Sequence, residues 1–206
     1  MKKYEMTNES IEFIGVKLFR IRALQDFRDV KAGDLGGYIE KEENLSQYDY
    51  CWVYDNAKVF GDAKVSENAR VYNRAAVYDN ARVYSNAEVY GNASVYGDAS
   101  VYGDASVYGD AWVHGDASVY GDAWVYGNAE VYKNTHLLQI GAIGSRDDIT
   151  TFFRTKHKEI YVTCGCFTGD IEEFEKAVEE EHKGTKHEKT YKLAIELAKL
   201  QIELED

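Results

Sequence analysis

Residues 95–110 read VYGDASVYGDASVYGD. Six residues recur head to tail, and the phase runs far beyond this stretch: valine stands at 53, 59, 65, 71 and every sixth position on to 131. From Val59 onward an alanine precedes each valine by two, as Ala99 precedes Val101. Tyrosine usually follows the valine, and two turn formers, mostly Gly-Asp, Gly-Asn or Asp-Asn, separate one unit from the next. Alanine and valine two apart share one face of a short strand, while the residue between them and the tyrosine share the other. Glycine, asparagine and aspartate tolerate the positive φ that a sharp corner needs. Such a unit fits neither a helical period nor an antiparallel hairpin ladder. Three units close a triangular coil, and coils stack at about 4.8 Å, the spacing of a β-sheet. The expected fold is mainly β: a parallel β-helix whose narrow interior is filled by valine and alanine.

Val95, Gly97, Asp98 and Ala99 set out an aliphatic residue, two corner residues and a small inward residue. In this the chain resembles the hexapeptide-repeat left-handed β-helix family. The resemblance, and not the spacing, implies the left hand. It also implies an acyltransferase reading, because that is the family's best-known activity. Its enzymes carry a catalytic histidine on or near the coils, a loop that interrupts the repeat, and a trimer that binds coenzyme A between subunits. This chain departs from that pattern. The family has a small residue after the aliphatic one where this chain has tyrosine, and the hexads run without an inserted loop between Val53 and Val131. His114 is the single histidine inside them and is the catalytic candidate only under the acyltransferase reading. A general base needs a positioned partner and a pocket, so His114 is read first as a variant of an aromatic column.

Residues eighteen apart should register as columns. Tyr54, Tyr72, Tyr90, Tyr108 and Tyr126 make one; Phe60, Tyr78, Tyr96, His114 and Tyr132 the second; Ser66, Tyr84, Tyr102 and Tyr120 the third. Stacked aromatics bury one another's rings and stabilise a thin prism. Two tryptophans, Trp112 and Trp124, occupy outward positions between alanine and valine. An exposed tryptophan is unusual unless something covers it. The expected binding surface is therefore Trp112, His114 and Trp124 with Tyr96, Tyr108 and Tyr126. The corner aspartates 98, 104, 110, 116 and 122 supply one carboxylate per corner, too thin a ligand set for calcium, and are read as corner caps.

The repeat divides the chain into three: 1–50, an N-terminal strand cap with a first degenerate coil at Ile39 and Leu45; 51–136, the β-helix; and 137–206, a small C-terminal α/β domain. The stretch IEFIGVKLFRIRAL (11–24) reads as strands with a turn near Gly15. HLLQIGAIGS (136–145) and ITTFFRTKHKEIYVTCGCF (149–167) read as two strand regions. Two helices follow, each opened by a capping box, Asp170 with Glu173 and Thr185 with Glu188, giving a ββαα order. On the second helix Tyr191, Ile195, Ala198 and Ile202 recur at helical spacing, and Leu193, Leu197, Leu200 and Leu204 leave a second apolar face. Tyr191 and these four leucines are the expected contacts of a homo-oligomer, dimer or trimer. Cys164-Gly-Cys166 lacks zinc-ligand spacing, so the sulfurs are read as packing groups.

AGDLGGYIEKEENLS (32–46), IGAIGS (140–145), TTFFRTK (150–156) and GCFTGDIEEF (165–174) resemble segments of hexapeptide-repeat proteins carried by phages and prophages, often labelled transferases. With 24 Lys and Arg against 36 Asp and Glu, the net charge of -12 argues against binding to a nucleic-acid backbone. The start, MKKYEMTNESIEF, carries no apolar run of a signal peptide. Three cysteines and no apolar stretch of membrane-spanning length fit the cytoplasm of a host cell. The functional reading is a phage-encoded, non-catalytic binding protein that engages a host or phage protein. A counter-defence inhibitor is its most specific form. No cofactor, metal or membrane contact is expected. An acyltransferase and a structural module of a virion or surface assembly are the alternatives.

Overall fold

A computed structural model describes residues 2–205. Fourteen short rungs, from β4 (Trp52–Val53) to β17 (Glu130–Val131), follow one another at six-residue intervals with no loop between them. Rungs eighteen apart pair in parallel: Ser94–Val95 lies between Ala76–Val77 and Trp112–Val113. The rungs make three sheets around about five coils, and every Ala and Val of the repeat from Ala57 to Val131 is buried. Each fully buried valine contributes roughly 1.5–3 kcal/mol relative to exposure, so the interior stabilises the prism along its whole length.

The corners take the conformation that their residues favour. The first corner residue has φ of 71° at Gly91, 69° at Gly97 and 76° at Gly103, and the same left-handed backbone at Asp55, Asn73 and Asp79. At Gly103 a Cβ would also meet the Gly121 nitrogen one coil away at 2.8 Å. Backbone approach and positive φ both call for glycine there. Second corner residues form amide–carboxylate ladders: Asn80 donates to Asp98 at 3.0 Å, Asn86 to Asp104 at 2.8 Å and Asn92 to Asp110 at 3.0 Å. Three of the five corner aspartates are thus corner caps.

The N-terminal strands extend one face of the prism. β1 (Tyr4–Phe13) and β2 (Val16–Ala23) form an antiparallel hairpin turning at Ile14 and Gly15, both at positive φ. β2 pairs with β3 (Leu35–Ile39), and β3 joins the coils in parallel, Ile39 opposite Val59. Leu45 bridges to Val65, which completes the degenerate first coil at residues 39 and 45. Gly36 and Gly37 are needed for close approach: a Cβ on Gly36 would meet the Val53 oxygen at 2.6 Å, and one on Gly37 the Ala57 oxygen at 2.6 Å. Beneath this cap Lys3 is buried, and its Nζ donates to the Cys51 carbonyl at 2.9 Å and the Tyr48 carbonyl at 3.2 Å. Burial lowers the Lys3 pKa and raises that of the neighbouring Cys51 thiol.

The C-terminal region carries four strands before its helices, not the two of the expected ββαα order. β18 (Leu137–Ile143), β19 (Asp148–Arg154), β20 (Ile160–Cys164) and β21 (Phe167–Asp170) form an antiparallel meander. Each cysteine- or lysine-containing turn inside the 149–167 run is short enough to look like strand: residues 155–159 and 165–166 fold the run back twice. α1 (Ile171–His182) starts at the Asp170–Glu173 capping box. α2 (Lys186–Gln201) starts at Thr185, while the Glu188 carboxylate accepts from the Gly184 nitrogen, one residue earlier than a reciprocal box requires. One face of this sheet packs on the helices through Phe152, Val162, Phe174 and Ile195. The other meets the open end of the prism, where Phe153 and Leu137 join the coil interior. No helix among the described residues is long and apolar enough to cross a membrane.

Candidate binding surface where the coils meet the tail

All three aromatic columns form. Tyr72 and Tyr90 rings stack at 4.6 Å, Tyr78 and Tyr96 at 4.8 Å, Tyr84 and Tyr102 at 5.0 Å, each within a few degrees of parallel. Partial burial of the rings raises the phenol pKa, to about 12 at Tyr78 and Tyr108. These tyrosines stay neutral at any ordinary pH and offer hydroxyls, not charge.

His114 belongs to such a column. It stacks on Tyr96 at 4.6 Å and on Tyr132 at 5.2 Å. Its Nε2 is buried and finds no hydrogen-bond partner among the described residues. Burial lowers its pKa, and Glu130 only partly opposes this. Among the described residues the imidazole has no orienting hydrogen-bond partner, which a general base needs.

The six residues expected to form one surface lie on two faces of the prism. Trp112, His114 and Tyr96 belong to the sheet that the N-terminal hairpin extends, whereas Trp124, Tyr108 and Tyr126 belong to the five-stranded sheet. Trp112 is 42% exposed, but its ring carries the Lys156 ammonium at 3.8 Å, and Lys156 also donates to the Asp110 carbonyl at 2.9 Å. This tryptophan is an anchor for the turn between β19 and β20. Tyr126 is half-buried between Tyr108 and Phe153 of the tail. Trp124 alone of the six is both largely exposed, at 49%, and set in a concavity.

That concavity, about 570 Å³, lies between the last coils and the tail sheet. Asp104, Asp122 and Trp124 come from the coils; Arg146, Asp148, Thr151, Thr163 and Cys166 come from β19, β20 and the hairpins beside them. Strand pairing puts Thr151 directly opposite Thr163. A second hollow of about 580 Å³ shares Asp104 and Trp124 and runs back along the same sheet past Ser106, Glu88 and Arg70 to Arg28. Arg70 and Glu88 are paired within it. The tail residues of this site are absent from any reading of the repeat, because their approach to Trp124 depends on how the tail docks.

Docking is held by an ion pair between a buried arginine and a half-buried glutamate. Arg154 is almost fully buried; its Nη1 donates to Glu130 at 2.7 Å, and its guanidinium lies 5.1 Å from the Tyr132 ring. Beside it His136 is buried, and its pKa is pushed down to about 4 by burial, with Arg154 and Lys133 adding to the effect. The two sulfurs of the 164–166 turn diverge. Thr150 donates to Cys164 at 3.2 Å, and the Cys164 thiol donates to the Tyr191 hydroxyl at 3.4 Å, whereas Cys166 is exposed and lines the cavity.

The face expected to carry an oligomer is reduced by the structure. Tyr191 is buried in its own chain against Phe174, and Leu204 is partly buried against the tail core. Leu193, Leu197 and Leu200 remain exposed, Leu200 at 85%.

Comparison with known proteins agrees with this architecture. Residues 99–115, which include Trp112 and His114, match the family model described as YdcK Beta solenoid repeat. The Uncharacterized acetyltransferase YdcK of Escherichia coli (strain K12) is 40% identical over 63 residues, 27% of this chain and 19% of that protein. The chain thus matches less than a fifth of the relative's length, and the likeness supports a hexapeptide-repeat β-solenoid.

Proposed function

We propose that this chain is a non-catalytic binding protein that works through protein–protein contacts. The observation that carries the reading is the state of its one coil histidine: His114 is clamped between Tyr96 and Tyr132 with its Nε2 buried and unpartnered. Fourteen uninterrupted rungs leave no loop to close over it. The surface features on offer instead are an exposed tryptophan in a concavity and an exposed leucine stripe, both typical of interfaces.

The more specific form of the reading is a phage-encoded inhibitor of a host defence system, acting in the host cytoplasm. Its support is the resemblance of the 32–46 and 140–174 segments to phage and prophage proteins and the acidic charge. Its partner would be a host protein.

The second reading is an acyltransferase. It is favoured by the likeness of part of the chain to a protein named as an acetyltransferase. Calorimetry with acetyl-coenzyme A separates the two. The binding-protein reading expects no saturable heat, and capture of a defined partner that persists in His114→Ala. Saturable acetyl-coenzyme A binding that His114→Ala abolishes would overturn it. Presence in purified particles would instead support a structural module.

A second copy of this chain is the proposed occupant of the leucine stripe. Leu193, Leu197 and Leu200 follow the four-three spacing of a coiled-coil seam. The stripe begins beside Lys186 and Lys189 and ends beside Glu203 and Glu205. An antiparallel copy therefore sets basic starts against acidic ends, and a two-fold dimer is the simplest closed arrangement. Light scattering on the full chain tests it. A dimer that Leu197→Lys dissociates is expected, and a monomer at tens of micromolar, roughly where weak contacts fail, would refute it.

A further inference from the structure

We propose that the cavity at Trp124 takes the cationic side chain, lysine or arginine, of a basic segment of a partner protein. This rests on the binding-protein reading and names the chemistry that the site would recognise.

Three features converge. The first is charge. The cavity is lined by three carboxylates, Asp104, Asp122 and Asp148, and one guanidinium, Arg146. Arg146 and Asp148 sit together against the Gly165 turn, which leaves the coil carboxylates as the excess. Asp98, Asp104 and Asp110 each accept from an asparagine one coil below, as Asp104 does from Asn86. The next two corner aspartates, Asp116 and Asp122, stand over Asp98 and Asp104 instead, carboxylate over carboxylate; of these it is Asp122 over Asp104 that lines the cavity, with no hydrogen-bond partner for Asp122 among the described residues. Two carboxylates in one column disfavour each other unless a cation intervenes.

The second is the indole. Trp124 is 49% exposed on the cavity wall. A tryptophan face beside carboxylates is the strongest side-chain arrangement for a cation. The third is independent of charge. Thr151 and Thr163, 2% and 7% exposed, line the same cavity from opposite positions on β19 and β20. Neither hydroxyl enters a hydrogen bond with another described residue, and both side chains line the cavity. Hydroxyl oxygens on a cavity wall can accept the N–H groups of an ammonium or guanidinium.

The site is not built for a bare metal ion: no group of three His, Cys, Asp or Glu among the described residues is close enough to hold one. It is also not a closed hole. The second hollow, sharing Trp124 and Asp104, gives about 580 Å³ of groove along the coil face for the backbone on either side of the bound residue. That continuity favours a side chain presented by a protein segment over a free small cation.

The test uses the full-length protein with a peptide alternating glycine and lysine, and its glycine–glutamate counterpart. Binding is followed by calorimetry and by tryptophan emission in a Trp112→Phe background. Trp52 lies buried under the N-terminal strands, so a change in emission reports Trp124. The expected result is saturable binding of the lysine peptide only. Trp124→Ala should weaken it about tenfold and Asp122→Asn several-fold, the range of a desolvated cation–π contact and one ion pair. The double change Thr151→Val with Thr163→Val should weaken it by a similar several-fold factor. Thermal melts matching the parent confirm that the variants fold. Absence of lysine-peptide binding, binding that Trp124→Ala leaves unchanged, or binding of spermidine in place of the peptide would each overturn the proposal. If the peptide fails while a defined partner is still captured independently of Trp124, this inference falls and the binding-protein reading stands. If capture fails as well, both fall.

Discussion

Trp52 and Trp124 occupy the same column of the same five-stranded sheet, the first rung and the last. Both occupy the outward position that opens an identical Trp-Val-Tyr triplet. Yet Trp52 is 1% exposed and Trp124 is 49% exposed. The difference lies in the two ends. At the start, the cap folds over the first rung: β3 joins the neighbouring eight-stranded sheet, and Tyr4 and Phe27 close edge-on over Trp52 at 6.0 and 5.3 Å. At the finish, the tail docks through side chains, chiefly Phe153 and Arg154, and stands off from Trp124 to leave a cavity. A cap whose side chains close over an outward residue seals it, whereas a cap that stands off from one can leave room for something else.

The sharpest way to break this comparison is to truncate each tryptophan. Trp52→Ala should lower unfolding stability by about 3–5 kcal/mol, the cost of emptying a packed aromatic site. Trp124→Ala should stay within about 0.5 kcal/mol of the parent, as surface changes do. Denaturant melts measure both, and a Trp124→Ala loss as large as that of Trp52 would mean that the cavity is a packing site.

The docking of the tail is tested next. Arg154→Ala removes the charge-assisted hydrogen bond to the half-buried Glu130, a loss of about 1.5–3 kcal/mol. Because Arg154 holds the tail and not the coils, the loss should appear as early hydrogen exchange in residues 148–164, with the rungs near Ser94 still protected. Uniform loss of protection would show that the two regions unfold as one.

A pH series probes the same junction. His136 is neutral in the folded chain, with its pKa lowered by burial to about 4. The unfolded chain takes up that proton near pH 6.5. Its contribution is therefore complete above about pH 6.5 and is lost as pH falls from there toward 4. His136→Gln should flatten the dependence of the denaturant midpoint on pH within that window. A slope unchanged by the substitution would refute the assignment.

The smallest effect belongs to the helix start. Asp170 accepts from the Glu173 nitrogen at 2.7 Å, and Asp170→Ala should cost about 1 kcal/mol. No change in melting would place the α1 start elsewhere.

Much of this was legible in the sequence. A six-residue phase that never slips places every valine, alanine and corner, and it places the aromatic columns, because residues eighteen apart must stack once three units close a coil. His114 was recognisable as a column member for the same reason. The capping pair at Asp170 was visible because it is local. The tail strands were harder: turns as short as the one at Gly165 and Cys166 interrupt the apolar run too little to show a boundary. Tyr191 was placed with the outward leucines, but its ring turns into the core beside Phe174 and Cys164. Helical spacing alone does not say which of two apolar stripes a sheet will cover.

The sequence by itself determined the prism, because its information is local and repeated: each unit states its own inward, outward and corner residues, and stacking follows from the period. Only the tertiary structure decided that Trp112 is an anchor under Lys156 while Trp124 faces a cavity, and that Thr151, Thr163 and Arg146 stand across from it. Those relations join residues from the repeat to residues of the tail, which share no period. They exist only where Arg154 and Phe153 fix the tail against the last coil.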